Sequence, residues 1–287
     1  MKLEQKYPAK RAFVTGAASG FGLAICTHLA SRGWKLLIAD INAKRLEQAE
    51  AQLRKHGAET FSMVLDVTRQ EALQDAANTV KQLWGGVDLV FNNAGIASAG
   101  MIDDLPLEEW EKVINVDLWS VIHGCRAFVP LLKTQGGGCI INTASSAGTL
   151  SGPEMSPYNV AKAGVVSLSE TLKSELSGFG IGVTVVCPTV FATSLGDSLT
   201  SERSMEKRLL AQLKKSRFTS EHIVEDVFRA LEKDRLYVMT QPDAKWAWRL
   251  KRWMPESYFR LIAYLYRNRK WLYADQNEAP DRLIGKP

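Results

Sequence analysis

Short apolar runs alternate with amphipathic stretches through the first two thirds of the chain. A short apolar run is typical of a buried strand, whereas apolar residues at three- and four-residue spacing are typical of a helix. The pattern predicts strands at 11–15, 34–39, 61–65, 87–91, 139–142 and 181–187, with helices after 22 and at 43–56, 71–84, 107–133 and 157–176. Because this alternation is typical of βαβ units, we expect an α/β fold with a doubly wound parallel sheet, helices on both faces and a single domain.

The pattern changes after Pro188. Residues 192–204 are rich in Thr, Ser and Gly and predict a loop, which a capped helix and a short last strand follow. Residues 244–273 are aromatic and basic and contain two amphipathic stretches. We therefore divide the chain into an α/β domain, 1–243, and an amphipathic C-terminal extension, 244–287.

The composition is that of a globular protein, with 287 residues of which 46% are hydrophobic. No stretch approaches the roughly 18 apolar residues needed to span a bilayer, and the first ten residues lack the apolar segment of a secretory signal. The four cysteines have neither paired nor metal-ligand spacing, which indicates buried free thiols in a reducing compartment. The four histidines are equally dispersed, so no metal site is predicted. We expect a cytoplasmic protein.

The net charge of +5 is concentrated near the C-terminus, where eight Lys and Arg side chains between 245 and 270 face Glu256 alone. A basic excess confined to one segment argues against a nucleic-acid partner for the whole protein. Trp, Tyr and cationic residues on an amphipathic helix are typical of a bilayer surface. The alternatives for this segment are peripheral membrane contact, a flap over a substrate cleft, and packing on a partner subunit.

A glycine-rich turn, Gly16-x-x-x-Gly20-x-Gly22, joins the first strand to the first long helix. Such a turn lets the backbone approach a pyrophosphate at a helix N-terminus, as in Rossmann-type dinucleotide sites. Asp40 ends the second strand, where an acid hydrogen-bonds a ribose 2′-hydroxyl and repels a 2′-phosphate. This pattern favours NAD over NADP, although Lys44 and Arg45 in the next turn weaken the preference. The alternative is that Asp40 caps the following helix.

Tyr158 and Lys162 lie one helical turn apart on a predicted helix, so their side chains share a face. Ser145 follows the apolar strand just before this helix. A free tyrosine, with a pKa of about 10, is a weak base near neutrality, and a nearby ammonium favours its phenolate form. A phenol, an ammonium and a hydroxyl together predict a proton-transfer site.

These motifs, in this order, resemble those of the short-chain dehydrogenase/reductase superfamily over roughly residues 10–193. The resemblance implies an NAD-dependent oxidoreductase that interconverts an alcohol and a carbonyl, commonly as a homodimer or homotetramer. In it Tyr158 is the general base or acid, Ser145 holds the substrate oxygen, Lys162 also holds the nicotinamide ribose, and Asn115 holds a water that links the lysine to solvent. The cofactor-binding residues it implies are Thr15, Gly16, Ser19, Gly20, Phe21, Gly22, Asp40, Asp66, Val67, Asn93, Ala94, Gly95, Tyr158, Lys162, Pro188 and Thr193.

Two segments bear on the substrate. Thr189 stands where the family usually has glycine, and a β-branched residue is strained at positive φ. Residues 147–155 are small and apolar apart from Glu154 and are expected to border the substrate, which favours a lipophilic alcohol or ketone. The tail resembles, more weakly, those of members that act on bulky apolar alcohols. The alternatives are a polyol, sugar or acyl-carrier-bound ketone as substrate, and a non-catalytic NAD(H)-binding scaffold.

Overall fold

A parallel sheet forms the centre of the computed structural model, which describes residues 2–189 and 218–268. The described residues contain seven strands, in the spatial order β3-β2-β1-β4-β5-β6-β7, and every neighbouring pair is parallel. The strands are β1 (Arg11–Thr15), β2 (Lys35–Asp40), β3 (Thr60–Val64), β4 (Leu89–Asn92), β5 (Gly138–Thr143), β6 (Ile181–Val186) and β7 (Tyr237–Val238). The order reverses between β1 and β4, and the predicted doubly wound α/β fold is confirmed.

Helices cover both faces of this sheet. They are α1 (Leu3–Lys6), α2 (Gly20–Ala30), α3 (Ala43–Lys55), α4 (Gln70–Trp84), α5 (Leu107–Ile114), α6 (Ser120–Gln135), α7 (Ala147–Leu150), α8 (Ser156–Glu175) and α9 (Ser220–Glu232). Alternate residues of each strand point to opposite faces, so Ala12 and Val14 pack with α2 and α9 while Phe13 packs with α4 and α6. Both faces of the inner strands β1, β2, β4, β5 and β6 are therefore buried, as their near-continuous apolar sequences predict, whereas the edge strand β3 is largely exposed.

The helix predicted at 107–133 is interrupted. A π-helical turn, Asn115–Trp119, separates α5 from α6. Such turns insert one residue into a helix and are frequent at functional sites. Here Asp117 is fully buried on the inner face, whereas Asn115 is exposed.

Two further helices, α10 (Pro242–Trp253) and α11 (Pro255–Arg267), complete the described chain. The chain divides into one compact unit up to Lys245 and a second from Trp246. The second unit carries exposed aromatic side chains, with Trp246 71% and Trp253 87% accessible. No helix in the described ranges is both long and apolar enough to cross a membrane.

The four cysteines are buried free thiols, as predicted. Burial raises the pKa of Cys125, Cys139 and Cys187 to about 12, so these thiols are protonated near neutrality. They act as small apolar core residues.

Candidate active site

A cleft of about 390 Å³ lies at the carboxyl ends of the central strands, where the strand order reverses. Ligands of open α/β sheets bind at such reversal points. The predicted residues that line the cleft are Gly16, Ser19, Phe21, Gly22, Asp40, Asp66, Val67, Asn93, Ala94, Gly95, Tyr158, Lys162 and Pro188. The lining residues that were not predicted are Ile41, Leu65, Ile96, Lys112, Val116, Thr143 and Ala144. The structure thus brings most of the predicted site into one cleft.

The glycine turn has the tight geometry that its sequence predicts. Gly16 and Gly20 have backbone φ angles of +62° and +51°, which residues with a side chain rarely adopt. A Cβ on Gly22 would lie 2.0 Å from the carbonyl oxygen of Gly16, so only glycine fits where α2 approaches β1. Thr15 does not line the cleft but holds residues that do. Its Oγ1 accepts hydrogen bonds from the backbone N–H groups of Asn93 at 2.9 Å and Ala94 at 3.1 Å.

Asp40 lines the cleft at the end of β2. Its Oδ2 accepts a hydrogen bond from Ala18 N at 3.1 Å, and its Oδ1 accepts one from Asn42 N at 3.0 Å. The N-cap of α3 is Asn42, whose side chain accepts from Arg45 N at 3.0 Å. Asp40 therefore does not cap this helix, and the capping alternative is wrong. Ile41, next to the carboxylate, is exposed and adds no positive charge.

Asp66 and Asn93 hold the adjoining loops in place. Asp66 Oδ1 accepts from Thr68 N at 2.9 Å and from Thr68 Oγ1 at 2.7 Å, which closes an Asx turn at the cleft. Asn93 donates from Nδ2 to Thr15 O at 3.0 Å and accepts from Thr143 Oγ1 at 3.2 Å. These bonds tie the ends of β1, β4 and β5 together beneath the cleft.

Tyr158 and Lys162 lie one turn apart on α8, and both are almost completely buried. Lys162 Nζ donates to Thr143 O at 3.1 Å and lies 5.6 Å from the centre of the Tyr158 ring. The pKa of Tyr158 is raised above its ordinary value. Burial is the largest cause, the Lys162 ammonium lowers the pKa in part, Asp117 raises it further, and a hydrogen bond from Ser145 lowers it. Ser145 is half-buried, and its Oγ also accepts from Ala147 N at 3.1 Å.

The structure does not place Asn115 in this site, because its side chain is exposed and it is not among the cleft-lining residues. Asp117, two residues on, is fully buried, with Oδ2 at 3.1 Å from Lys162 Nζ and Oδ1 accepting from Ile96 N at 2.8 Å. A signal for it exists in the sequence. Asp117 falls four residues from Val113 and from Val121 in the buried stripe of the helix, where a lone carboxylate is unusual.

Apolar side chains surround Tyr158. It packs with Val113 and Ala161, and Ile96, Ala147 and Met155 lie against this cluster. The last two belong to the segment expected to border the substrate, which also forms an isolated bridge from Met155 to Gly100. The ring of Tyr158 therefore packs in apolar surroundings.

Thr189 is accommodated without strain, because it is not among the described residues with positive φ. Its N–H donates to Gln241 Oε1 at 3.0 Å, and the preceding Pro188 carbonyl accepts from Ser146 N at 2.8 Å. Thr193 and the loop predicted at 192–204 lie outside the described residues.

Comparison with known proteins identifies the family. A sequence model described as short chain dehydrogenase matches residues 10–204, more than half of the chain, so the protein belongs to the short-chain dehydrogenase/reductase family. The chain is 31% identical to the CLA biosynthesis dehydrogenase/reductase of Lactiplantibacillus plantarum, over 80% of this chain and 87% of that one. It is 32% identical to the 1-deoxy-11-beta-hydroxypentalenate dehydrogenase of Streptomyces avermitilis, over 82% and 85% respectively. It also resembles a solved short chain dehydrogenase/reductase from Burkholderia phymatum in complex with NAD, with a TM-score of 0.80 and 29% identity over 95% of this chain and 97% of that chain.

Members of this family bind a nicotinamide cofactor, and the cleft fits one. The glycine turn leaves room at the N-terminus of α2 for a diphosphate, since the first N–H groups of a helix have no partner within it. Asp40 and Ile41 border one part of the cleft, and Tyr158 and Lys162 border another. The residues present thus match an elongated ligand that ends beside the phenol.

Proposed function

We propose that this protein is an NAD-dependent oxidoreductase that interconverts an alcohol and a carbonyl on an apolar or bulky substrate. The observation that carries the proposal is the cleft in which Asp40 and the pair formed by Tyr158 and Lys162 occur together. An acid at the end of β2 suits a ribose, and a phenol beside an ammonium suits proton transfer to a substrate oxygen. A non-catalytic NAD(H)-binding scaffold needs the first feature and not the second.

In this mechanism the bound nicotinamide cofactor accepts or supplies the hydride. In the oxidative direction Tyr158 Oη takes the proton of the substrate hydroxyl, and in reduction it returns that proton to the carbonyl oxygen. Ser145 Oγ hydrogen-bonds the same oxygen and holds it beside the phenol. Lys162 supplies the positive charge that a buried phenolate requires.

The energies are of the right size. Lowering a tyrosine pKa by two to three units takes roughly 3–4 kcal/mol of preference for the phenolate. An ammonium at about 4 Å in an effective dielectric near 20 supplies on the order of 4 kcal/mol. In the present site burial and Asp117 raise the pKa of Tyr158 against this contribution, so the charge of Lys162 offsets only part of their effect.

The preference for NAD over NADP rests on Asp40 and its surroundings. Both carboxylate oxygens already accept backbone hydrogen bonds, which fix the carboxylate at the cleft wall. A 2′-phosphate would face this charge, and Ile41 beside it offers no cation. The basic residues nearest in sequence, Lys44 and Arg45, begin the exposed first turn of α3.

A lipophilic substrate is supported by the apolar cluster around Tyr158 and by Met155 and Ala147 beside it. A polyol or sugar would need hydrogen-bonding side chains in the same positions. The names of the two relatives describe a dehydrogenase/reductase and a dehydrogenase, in keeping with the proposed reaction class.

A panel of secondary alcohols and ketones graded by chain length, assayed with NAD(H) and NADP(H), tests the proposal. We expect kcat/KM to rise with apolar size and NAD(H) to be preferred at least about tenfold. A preference for polyols supports the polar-substrate alternative. Tight NADH binding without turnover of any alcohol or ketone supports the scaffold.

We also propose a homo-oligomeric protein of the cytoplasm, and the tail unit supports its peripheral contact with an anionic membrane. Its exposed side chains include Trp246, Trp253, Met254, Phe259, Leu261 and Tyr264. Arg252 lies 5.2 Å from the Trp248 ring and Lys251 5.3 Å from the Phe259 ring, so cations and aromatics are interleaved. Sedimentation with anionic and with neutral vesicles, for the full chain and for a Trp246→Ser/Trp253→Ser variant, separates membrane contact from a flap or subunit contact. Equal sedimentation of both proteins would remove the membrane contact from the proposal.

A further inference from the structure

The charge of the Tyr158–Lys162 pair is modified by a third group, which belongs to a different element. Asp117 Oδ2 lies 3.1 Å from Lys162 Nζ, and the two side chains are 0% and 3% exposed. Oδ2 meets the ammonium as an ion pair, and no other described group hydrogen-bonds this oxygen. The other oxygen is fixed by Ile96 N at 2.8 Å.

The arrangement fixes Lys162 in position. Its ammonium is held between Asp117 and the Thr143 carbonyl, 3.1 Å from each. Space beside the pair is limited, because a Cβ on Gly95 would lie 3.3 Å from Lys162 Nζ and 3.5 Å from both Asp117 oxygens. The ion pair therefore lies against the loop that lines the cleft.

A carboxylate this close to the ammonium offsets part of its field at the phenol. Buried charges are screened weakly, so the net charge that Tyr158 senses is that of the pair and not that of Lys162 alone. We propose that Asp117 is a positioning residue that holds Lys162 beside Tyr158 and, through its charge, sets the pH range in which Tyr158 works as a base. This inference rests on the proposed function for its kinetic consequence.

The other groups around this site are few. Ser145 hydrogen-bonds Tyr158, and Cys187 lies near Lys162 as a neutral thiol, since burial raises its pKa to about 12. Lys112, Asp40 and Asp66 line the same cleft. Of the described charged groups, Asp117 and Lys162 are those whose charges affect the pKa of Tyr158, in opposite directions.

The test is Asp117→Asn, which removes the charge and keeps an oxygen that accepts from Ile96 N. Without the negative charge of Asp117, the Lys162 ammonium favours the Tyr158 phenolate more strongly. The pH at which kcat/KM for alcohol oxidation rises should therefore fall by about one unit. A second readout needs no cofactor. The tyrosinate absorbance that is lost on Tyr158→Phe should titrate at a correspondingly lower pH in the Asp117→Asn protein than in the wild type.

The matched control is Asp88→Asn. Asp88 also forms a buried ion pair, with Arg11 at 2.9 Å, and contacts none of the cleft residues by hydrogen bond or charge in the described structure. This variant should lose stability and leave both pH profiles in place. Asp117→Ser, neutral and smaller, serves if the Asn variant does not fold.

A shift to lower pH in both readouts supports the proposal. An unmoved or upward-shifted profile in a folded Asp117 variant would overturn it, whatever happens to the maximal rate. A wild-type midpoint below about pH 7 would also overturn it, because a compensated ammonium cannot lower the pKa of a buried tyrosine so far. A wild type without turnover counts against the proposed function alone, since the absorbance titration still decides the role of Asp117.

Discussion

Two buried aspartates form ion pairs at opposite ends of the parallel strands, and the two pairs differ in their hydrogen bonds. Asp88, before β4, receives hydrogen bonds from Arg11 Nε at 3.1 Å, Arg11 Nη2 at 2.9 Å and Arg11 N at 2.8 Å. Asp117, at the carboxyl ends of the strands, has one backbone hydrogen bond and one ammonium contact. Arg11 satisfies both oxygens of Asp88 and so holds β1 to β4, whereas one oxygen of Asp117 contacts only the Lys162 ammonium.

The difference follows from the cations. A guanidinium is a planar fork that satisfies both oxygens of a carboxylate, which gives a rigid and saturated pair. An ammonium is a compact charge with three donors, so Lys162 serves the Thr143 carbonyl and Asp117 and still lies beside Tyr158. Burial of a carboxylate in an ion pair therefore does not by itself define its role. The pair beside the cleft is suited to chemistry, and the pair at the opposite end of the strands is suited to structure.

The largest expected effect is that of Tyr158→Phe. Removing the proton-transfer group should lower kcat by about 10³- to 10⁴-fold while NADH binding, followed by fluorescence, stays within twofold. Tyr7→Phe is the matched control. Tyr7 is also buried, but its hydroxyl donates to Gly138 O at 3.4 Å near the amino ends of the strands, so its loss should leave kcat nearly unchanged. Retained turnover in the Tyr158 variant would contradict the assignment.

The second prediction tests the two ion pairs against each other. Removing one partner of a buried pair leaves an uncompensated charge, so Lys162→Met and Arg11→Met should each cost about 3–5 kcal/mol in the free energy of unfolding, measured with urea. Removing both partners should recover much of this loss, in Lys162→Met/Asp117→Asn and in Arg11→Met/Asp88→Asn. Only the first double variant should remain inactive. If the Arg11→Met/Asp88→Asn variant is equally inactive, the proposed difference between the two ion pairs is wrong.

The third prediction concerns Asp40, at the same edge of the sheet as Tyr158. Asp40→Ser with Ile41→Arg removes the repelling charge and adds a cation, so the ratio of kcat/KM for NADP to that for NAD should rise at least tenfold, roughly 1.4 kcal/mol. Asn42→Ser exchanges one good helix cap for another and should leave the ratio unchanged. An unchanged ratio in the double variant would show that another residue selects the cofactor.

The smallest effect is expected for Asn115→Ala. Its side chain is exposed on the opposite side of the helix from Asp117, so kcat/KM should change by less than twofold. A loss of tenfold or more would restore Asn115 to the proton path and weaken the case for Asp117.

Much of the fold could be predicted from the local pattern. Strands buried on both faces are apolar throughout, and helices carry apolar stripes, so β1 to β6 were predicted to within two residues at each end. The glycine turn was predictable for a similar reason. Only glycine adopts the positive φ of Gly16 and Gly20 without strain, so the residue type alone indicates the backbone shape.

The sequence signals at Asn115 and at Asp117 differ in kind. An asparagine inside a helix attracts notice because it is a poor interior residue, whereas the useful signal was a carboxylate in the apolar stripe. Which of the two meets Lys162 depends on the helix phase relative to α8, and both residues lie in a π turn that changes this phase. Residue preferences do not encode that phase. That phase is set by contacts between α8, the π turn and the loop at Ile96.

The sequence by itself determined the order of strands and helices, the glycine turn before α2 and the placement of Tyr158 and Lys162 one turn apart on one helix, because each depends on neighbours within a turn or two of the chain. Only the tertiary structure decided that Asp117 meets Lys162, that Asn42 and not Asp40 caps α3, and that Thr189 needs no positive φ. These depend on where separate elements come together. Burial then gives the resulting contacts their energy, since charges removed from water interact far more strongly than the same charges at the surface.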